Sequence, residues 1–166
     1  MIHFTKITID SAYAKKWNVD MNDFIVLTND EGNPIRNTLY RKGGMGGTWK
    51  DGYCELIKYI EEEYSDSITK IAADKPHLAG HWCIINEKGE EKVVTKQFEY
   101  IYHQGGIIYS INNTYYNIET GEVYCKGNHS ISSSQFIFAD NIYHTDKEKM
   151  GIWKINKFDG TYEIFK

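Results

Sequence analysis

The chain has 166 residues, with 19 Lys+Arg against 23 Asp+Glu and a formal net charge of −4. A chain of this length is expected to fold as one domain, burying roughly 70% of its unfolded surface without staples, and it lacks the overall basic field that would hold a nucleic acid. Its three cysteines, Cys54, Cys83 and Cys125, are odd in number and unpatterned in spacing, which argues against a disulfide framework or a zinc knuckle and for small buried thiols in a reducing compartment.

The opening MIHFTKITIDSAYAKKW has no continuous apolar region of signal-peptide type, and no later run reaches the about eighteen apolar residues of a membrane span. A cytoplasmic location without membrane attachment is therefore expected. HFTKITI (3–9) and DFIVLT (23–28) read as strands, and SAYAKKW (11–17) as a short helix capped by Asp10 or Ser11. YCELIKYIEEEY (53–64) reads as an amphipathic helix over about 52–64. At helical spacing Tyr53, Leu56, Ile57, Ile60 and Tyr64 share an arc of about 100°, the width of a core-facing stripe. Residues 65–80, with Pro76, are expected to be a connecting loop. HWCIIN (81–86), KQFEYIYH (96–103), GIIYSI (106–111), TYYNI (114–118), SQFIFA (134–139), NIYH (141–144), GIWKI (151–155) and TYEIF (161–165) then read as strands bounded by Gly, Asn or Asp.

The expected fold is mainly β (α+β): antiparallel hairpin repeats forming a sheet or a propeller-like assembly, with the one helix packed on it. Within a single domain, 1–166, residues 1–50 form an N-terminal β part, 51–80 the helix and loop, and 81–166 the hairpin repeats. The repeat is visible in IVLTNDEGN (25–33), WCIINEKGE (82–90), YYNIETGE (115–122) and IWKINKFDGT (152–161). In each, a strand runs into a polar pair and then a glycine, Gly32, Gly89, Gly121 or Gly160. Glycine suits such a turn because one residue of a hairpin loop usually needs positive φ, and recurring units of this size build stacked β architectures.

HWCIINEKGEEKVVTKQFEYIY followed by GGIIYSINNTYYNIETGEVY resembles the WG-repeat proteins of bacteria over residues 81–126, with an echo at 151–166. Trp82 is followed by Cys83 and Trp153 by Lys154, where that family has glycine. The resemblance implies binding or scaffolding surfaces and carries no catalytic residues with it.

The stretch RKGGMGGTWKDGY (41–53) is the first candidate site. Gly43, Gly44, Gly46 and Gly47 would let backbone N–H groups converge on an anion. Arg41, Lys42 and Lys50 would supply charge, Thr48 a hydroxyl, and Trp49 or Tyr53 a stacking ring. The competing reading is a strand-to-helix joint. No Walker loop fits, the dinucleotide fingerprint fails at Trp49, and Asp51 as helix N-cap would occupy the anion's place. Glu61, Glu62 and Glu63 read as a solvated helix face paired with Lys58. His77, His81 and Cys83 lack the context of a zinc site, and Cys54 reads as a buried thiol. The second candidate is an aromatic surface of Tyr100, Tyr102, Tyr109, Tyr115 and Tyr116, since tyrosine gives contact area at low entropy cost.

With no carboxylate pair, metal cluster, nucleophile motif or cofactor fingerprint in the sequence, the expectation is a non-catalytic binding protein that needs no cofactor or metal. It would act stoichiometrically on a protein partner, as an inhibitor, an immunity or anti-defence factor, or an adaptor. The alternative is a binder of an anionic small molecule or nucleotide at residues 43–47; a hydrolase ranks below both. A homodimer is a permitted assembly, and the richness in Ile, Asn, Lys and Tyr points to an AT-rich bacterial or phage genome.

Overall fold

The computed structural model describes residues 1–6, 24–36, 38–42, 47–59, 80–96, 99–103, 105–112, 114–126, 135–138, 140–146 and 151–165. The chain divides into two compact units, Met1–Glu99 and Tyr100–Lys166.

The first unit carries strands β1 (His3–Lys6), β2 (Phe24–Thr28), β3 (Leu39–Lys42), β4 (Trp49–Lys50), β5 (Tyr53–Tyr59), β6 (His81–Asn86) and β7 (Glu91–Val94). They form one seven-stranded antiparallel sheet in the order β1-β2-β3-β5-β6-β7, with β4 also on β5. Ile25, Leu27, Tyr40, Cys54, Leu56, Cys83 and Ile85 make one buried cluster, against which Ile2, Phe4 and Ile35 pack. The alternate residues Phe24, Val26, Leu39, Ile57, Tyr59 and Ile84 are buried as well, and Phe24 meets the Tyr59 ring edge-on at 5.1 Å.

This two-sided burial overturns the expected helix. Residues 53–59 are β5, paired with β3 and β4 on one side and β6 on the other; residues 60–64 lie outside the described residues. A strand buried on both faces loses its polar alternation. The buried positions of β5 are Tyr53, Cys54, Leu56, Ile57 and Tyr59, of which Tyr53, Leu56 and Ile57 also fit the arc of a helical stripe. Among the described residues there is no helix, and hence none long and apolar enough to cross a membrane. The short helix expected at 11–17, most of the loop expected at 65–80, and Glu61, Glu62, Glu63 and His77 lie outside the described residues. Asp51 caps no helix. With φ of 50° at Asp51 and 84° at Gly52, the pair forms the two-residue turn from β4 to β5, and positive φ at both positions is the type I′ geometry that Asp-Gly favours. Lys58 pairs with Glu91 at 2.7 Å instead of with a helical neighbour.

The second unit holds β8 (Ile108–Ile111), β9 (Thr114–Asn117) and β10 (Val123–Lys126) in a three-stranded sheet, order β10-β9-β8. A four-stranded sheet follows in sequence order: β11 (Gln135–Phe138), β12 (Asn141–Asp146), β13 (Gly151–Asn156) and β14 (Tyr162–Phe165). The two sheets share a core of Ile108, Tyr115, Tyr124, Ile142, Trp153 and Ile155, with Ile107 packed against it. A main-chain bond also joins them, Ile107 N–H donating to Lys157 O; Ile107 O in turn accepts from Ile118 N–H at 2.7 Å, and Lys157 N–H donates to Asp140 O at 3.0 Å. The propeller-like assembly is not formed, because among the described residues the strands make three separate sheets and none closes or curls strongly. The expected strand at 96–103 is not found either: its described residues contribute only an isolated bridge from Tyr102 to Ser110.

The four glycine turns do form, with φ of 82° at Gly32, 79° at Gly89, 72° at Gly121 and 74° at Gly160. Each is organised by an asparagine that ends the preceding strand or, at Asn29, directly follows it. Oδ1 of Asn29, Asn86, Asn117 and Asn156 each accepts two backbone N–H groups of its own turn, at 2.8–3.2 Å. The same asparagine's carbonyl accepts from the turn glycine. Side-chain satisfaction of turn donors is the reason Asn leads such loops.

Candidate functional site

The glycine-rich stretch interrupts a strand and does not lead into a helix. Lys42 pairs with Leu56 and Trp49 with Cys54, so β3 and β4 meet β5 on either side of the single residue Glu55. Gly43, Gly44 and Gly46 lie outside the described residues. Strand alternation separates the cations of β3 and β4. Lys42 and Trp49 share the face of Leu56 and Cys54, whereas Arg41 pairs with Ile57 and Lys50 with Tyr53 on the opposite face. Gly47, at φ 72°, lies beside the Lys42 stem and the Phe4 ring. Of the residues named from sequence, the structure thus gathers Lys42, Gly47 and Trp49, and not Arg41 or Lys50.

Sequence reasoning missed what joins them. Phe4 stacks on Trp49 with ring centroids 5.9 Å apart and planes 9° from parallel. Trp49, 38% exposed, then lines a cleft of about 370 Å³ with Met1, Ile2 and Glu87. Glu87 comes from the β6–β7 turn, which the Tyr53–Asn86 pair places at the same end of the sheet as the Asp51–Gly52 turn. Met1's ammonium is already paired, 3.0 Å from Asp30, and His3 Nε2 lies 2.8 Å from the other oxygen of that carboxylate. Those two groups hold the Asp30 carboxyl below its ordinary range, the His3 hydrogen bond first.

Deeper in the unit, Glu91 gathers a half-buried polar cluster. Lys58 Nζ lies 2.7 Å from one oxygen, the Tyr40 hydroxyl donates to the other, and Arg36 Nη1 stands 3.6 Å away. Burial pushes the Glu91 carboxyl up, but the hydrogen bonds from Lys58 and Tyr40 and the nearby cations outweigh it, and the net shift is downward. Burial first, and the bond to Glu91 second, push the Tyr40 hydroxyl far up. All of this cluster's members have partners, so it ties strands β3, β5 and β7 together and offers no free acid or base.

Burial also raises the thiols, Cys54 to about 12 and Cys83 further, which makes both poor nucleophiles. His81 Nδ1 lies 2.6 Å from Thr95 O in the interior. Among the described residues no group of three or more His, Cys, Asp or Glu side chains could hold a metal ion.

The tyrosines divide between surfaces. Tyr109 and Tyr116 are a cross-strand pair, stacked at 5.1 Å. Tyr115 points to the other face of its sheet and is buried edge-on against His144 at 4.8 Å. Tyr100 and Tyr102 are exposed. A larger apolar exposure lies at β14, the end of the four-stranded sheet. Tyr162 is 47%, Ile164 43% and Phe165 47% exposed, with Ile152 of β13 37% exposed beside them. Asn156 N–H donates to Thr161 O, and bonded pairs alternate along an antiparallel ladder. By the register, Glu163 and Phe165 therefore bond to β13, while Tyr162 and Ile164 turn their N–H and C=O groups outward.

Comparison of the chain with protein-family models, with curated proteins and with solved structures returns no match.

Proposed function

We propose that this is a non-catalytic binding protein that acts stoichiometrically on a protein partner, which adds an extended segment to the outer edge of β14. The observation that carries this reading is the edge itself. Four consecutive residues, Tyr162–Phe165, are exposed, three of them large and apolar, with one charge, Glu163, and no proline. Edge strands are usually blunted by charges, proline or a covering element, because an open row of backbone groups recruits another strand. An incoming segment would bond to the outward groups of Tyr162 and Ile164, and its side chains would meet Tyr162 and Ile164 on one face and Phe165 and Ile152 on the other. Main-chain bonds would supply affinity and the flanking side chains selectivity. The edge of the other unit's sheet differs: β1 ends in Lys6 and holds His3 against Asp30.

The test is capture of a partner from the native cell by the wild-type chain and by Ile164→Lys and Phe165→Lys. Both positions are exposed, so each variant is expected to keep the wild-type melting temperature within about 2 °C. A stoichiometric complex with the wild type that both variants lose supports the reading; a complex that survives both refutes the edge as its seat.

A further inference from the structure

Beyond that reading, and in the other unit, we infer that the cleft beside Trp49 is a binding site for a small organic cation, an amine or quaternary ammonium carried on a single ring or a short apolar body. Its volume of about 370 Å³ falls at the low end of the roughly 300–1,000 Å³ of ligand pockets, which limits the occupant to about that size. Among its described lining residues, Ile2 and the Trp49 indole are apolar and Glu87 supplies the one carboxylate.

Three features set the sign of the ligand. First, Glu87 is exposed and its carboxylate makes no hydrogen bond or ion pair within the described residues, so it can still receive a partner. Second, the indole is held by Phe4 on one ring face, which orients it rigidly while it remains 38% exposed. A fixed, partly open indole is the best aromatic receiver for a cation. Third, among the described residues the only ammonium lining the cleft, that of Met1, is paired with Asp30 at 3.0 Å. Lys42 lies close by, with its stem along Gly47, but does not line the cleft. An anion would meet Glu87; a cation would meet that carboxylate at one end and the indole along its length.

The test uses three probes of nearly one shape: phenethylamine, 2-phenylethanol and phenylacetate, each titrated by calorimetry at low salt. Saturable binding is expected for phenethylamine, weaker binding for the alcohol and least for the acid. Glu87→Gln should weaken the amine about fivefold, the scale of an exposed ion pair, and leave the alcohol unchanged. Trp49→Ala should abolish binding, with Trp49→Phe intermediate. Glu122→Gln, exposed on the other unit, is the control and should change nothing. The inference is overturned if phenylacetate binds as well as the amine, if Glu87→Gln changes the amine's affinity less than twofold, or if no probe saturates. Because Glu87 and Trp49 are both exposed, the variants are expected to fold, and unchanged melting temperatures verify it.

Discussion

The four turn glycines allow backbone conformation to be separated from crowding inside each unit. Gly32 and Gly121 adopt positive φ, and a Cβ at either would meet nothing within 4 Å. Gly89 and Gly160 adopt the same conformation, but their Cβ positions are occupied. At Gly160 it would stand 2.2 Å from Tyr124 Oη and 3.0 Å from Asn117 Nδ2; at Gly89, 2.5 Å from Ile35 Cδ1. A left-handed non-glycine residue costs about 1–2 kcal/mol, so Gly32→Ala and Gly121→Ala are each expected to destabilise by that amount. Gly160→Ala adds overpacking of about 1–3 kcal/mol. It also forces apart the Asn117–Tyr124 hydrogen bond, 2.8 Å in the wild type, a loss of about 1 kcal/mol. The expected total is about 3–6 kcal/mol. Gly89→Ala falls between, about 2–3 kcal/mol, because its neighbour is the tip of a side chain that can rotate away. Urea unfolding at constant m measures each value. The design compares an open and a crowded glycine within each compact unit, Gly32 with Gly89 and Gly121 with Gly160, so it holds even if the units unfold separately. Equal losses at Gly121 and Gly160 would refute the packing argument, and neutral substitutions at Gly32 and Gly121 would refute the conformational one.

Other expectations follow from the interior of the first unit. Because the Glu91 carboxyl is held below its ordinary range, the stability it contributes is fully present above its unfolded pKa of about 4.3. It is lost as pH falls through the folded value. Glu91→Gln should therefore cost about 1–3 kcal/mol near neutrality, leaving Lys58 and Arg36 half-buried without their partner, and the gap to wild type should close in acid, as read from melting temperatures between about pH 3 and pH 7. A gap independent of pH would exclude the ionic contribution. In a Cys125→Ser background, the buried thiols of Cys54 and Cys83 should resist a thiol reagent at pH 8 in the native state and react fully after denaturation; rapid native labelling would contradict their burial.

What could be read from the sequence follows from what each feature depends on. The glycine turns were legible because their requirement is local: one residue at positive φ closing each hairpin. HWCIIN matches β6 residue for residue, since its flanking Gly80 and Asn86 punctuate it. YCELIKY failed because its periodicity reports burial and not conformation. Cys54 and Leu56 face one cluster while Tyr53, Ile57 and Tyr59 are buried on the other face, and only the strand order reveals that both faces are covered. Asp51-Gly52 carried the local evidence against a helix, as a hairpin turn directly before the apolar run.

The sites were less legible than the turns because they depend on pairing between distant segments. Trp49 and Lys42 could be named together from sequence, being neighbours in it. Phe4 reaches the Trp49 indole, and Glu87 the cleft it lines, only through the register of the β1–β2 and β5–β6 pairs. The exposed edge is subtler still. TYEIF and NIYH are equally strand-like as sequence, yet Ile142 is buried and Ile164 is 43% exposed. Nothing in either segment decides this. Among the described strands β12 has a neighbour on each side, whereas β14 has one only on the side of β13. An apolar residue on an edge strand therefore becomes a binding feature by its place in the sheet, and the substitutions at Ile164 and Phe165 probe that place more directly than any property of the segment itself.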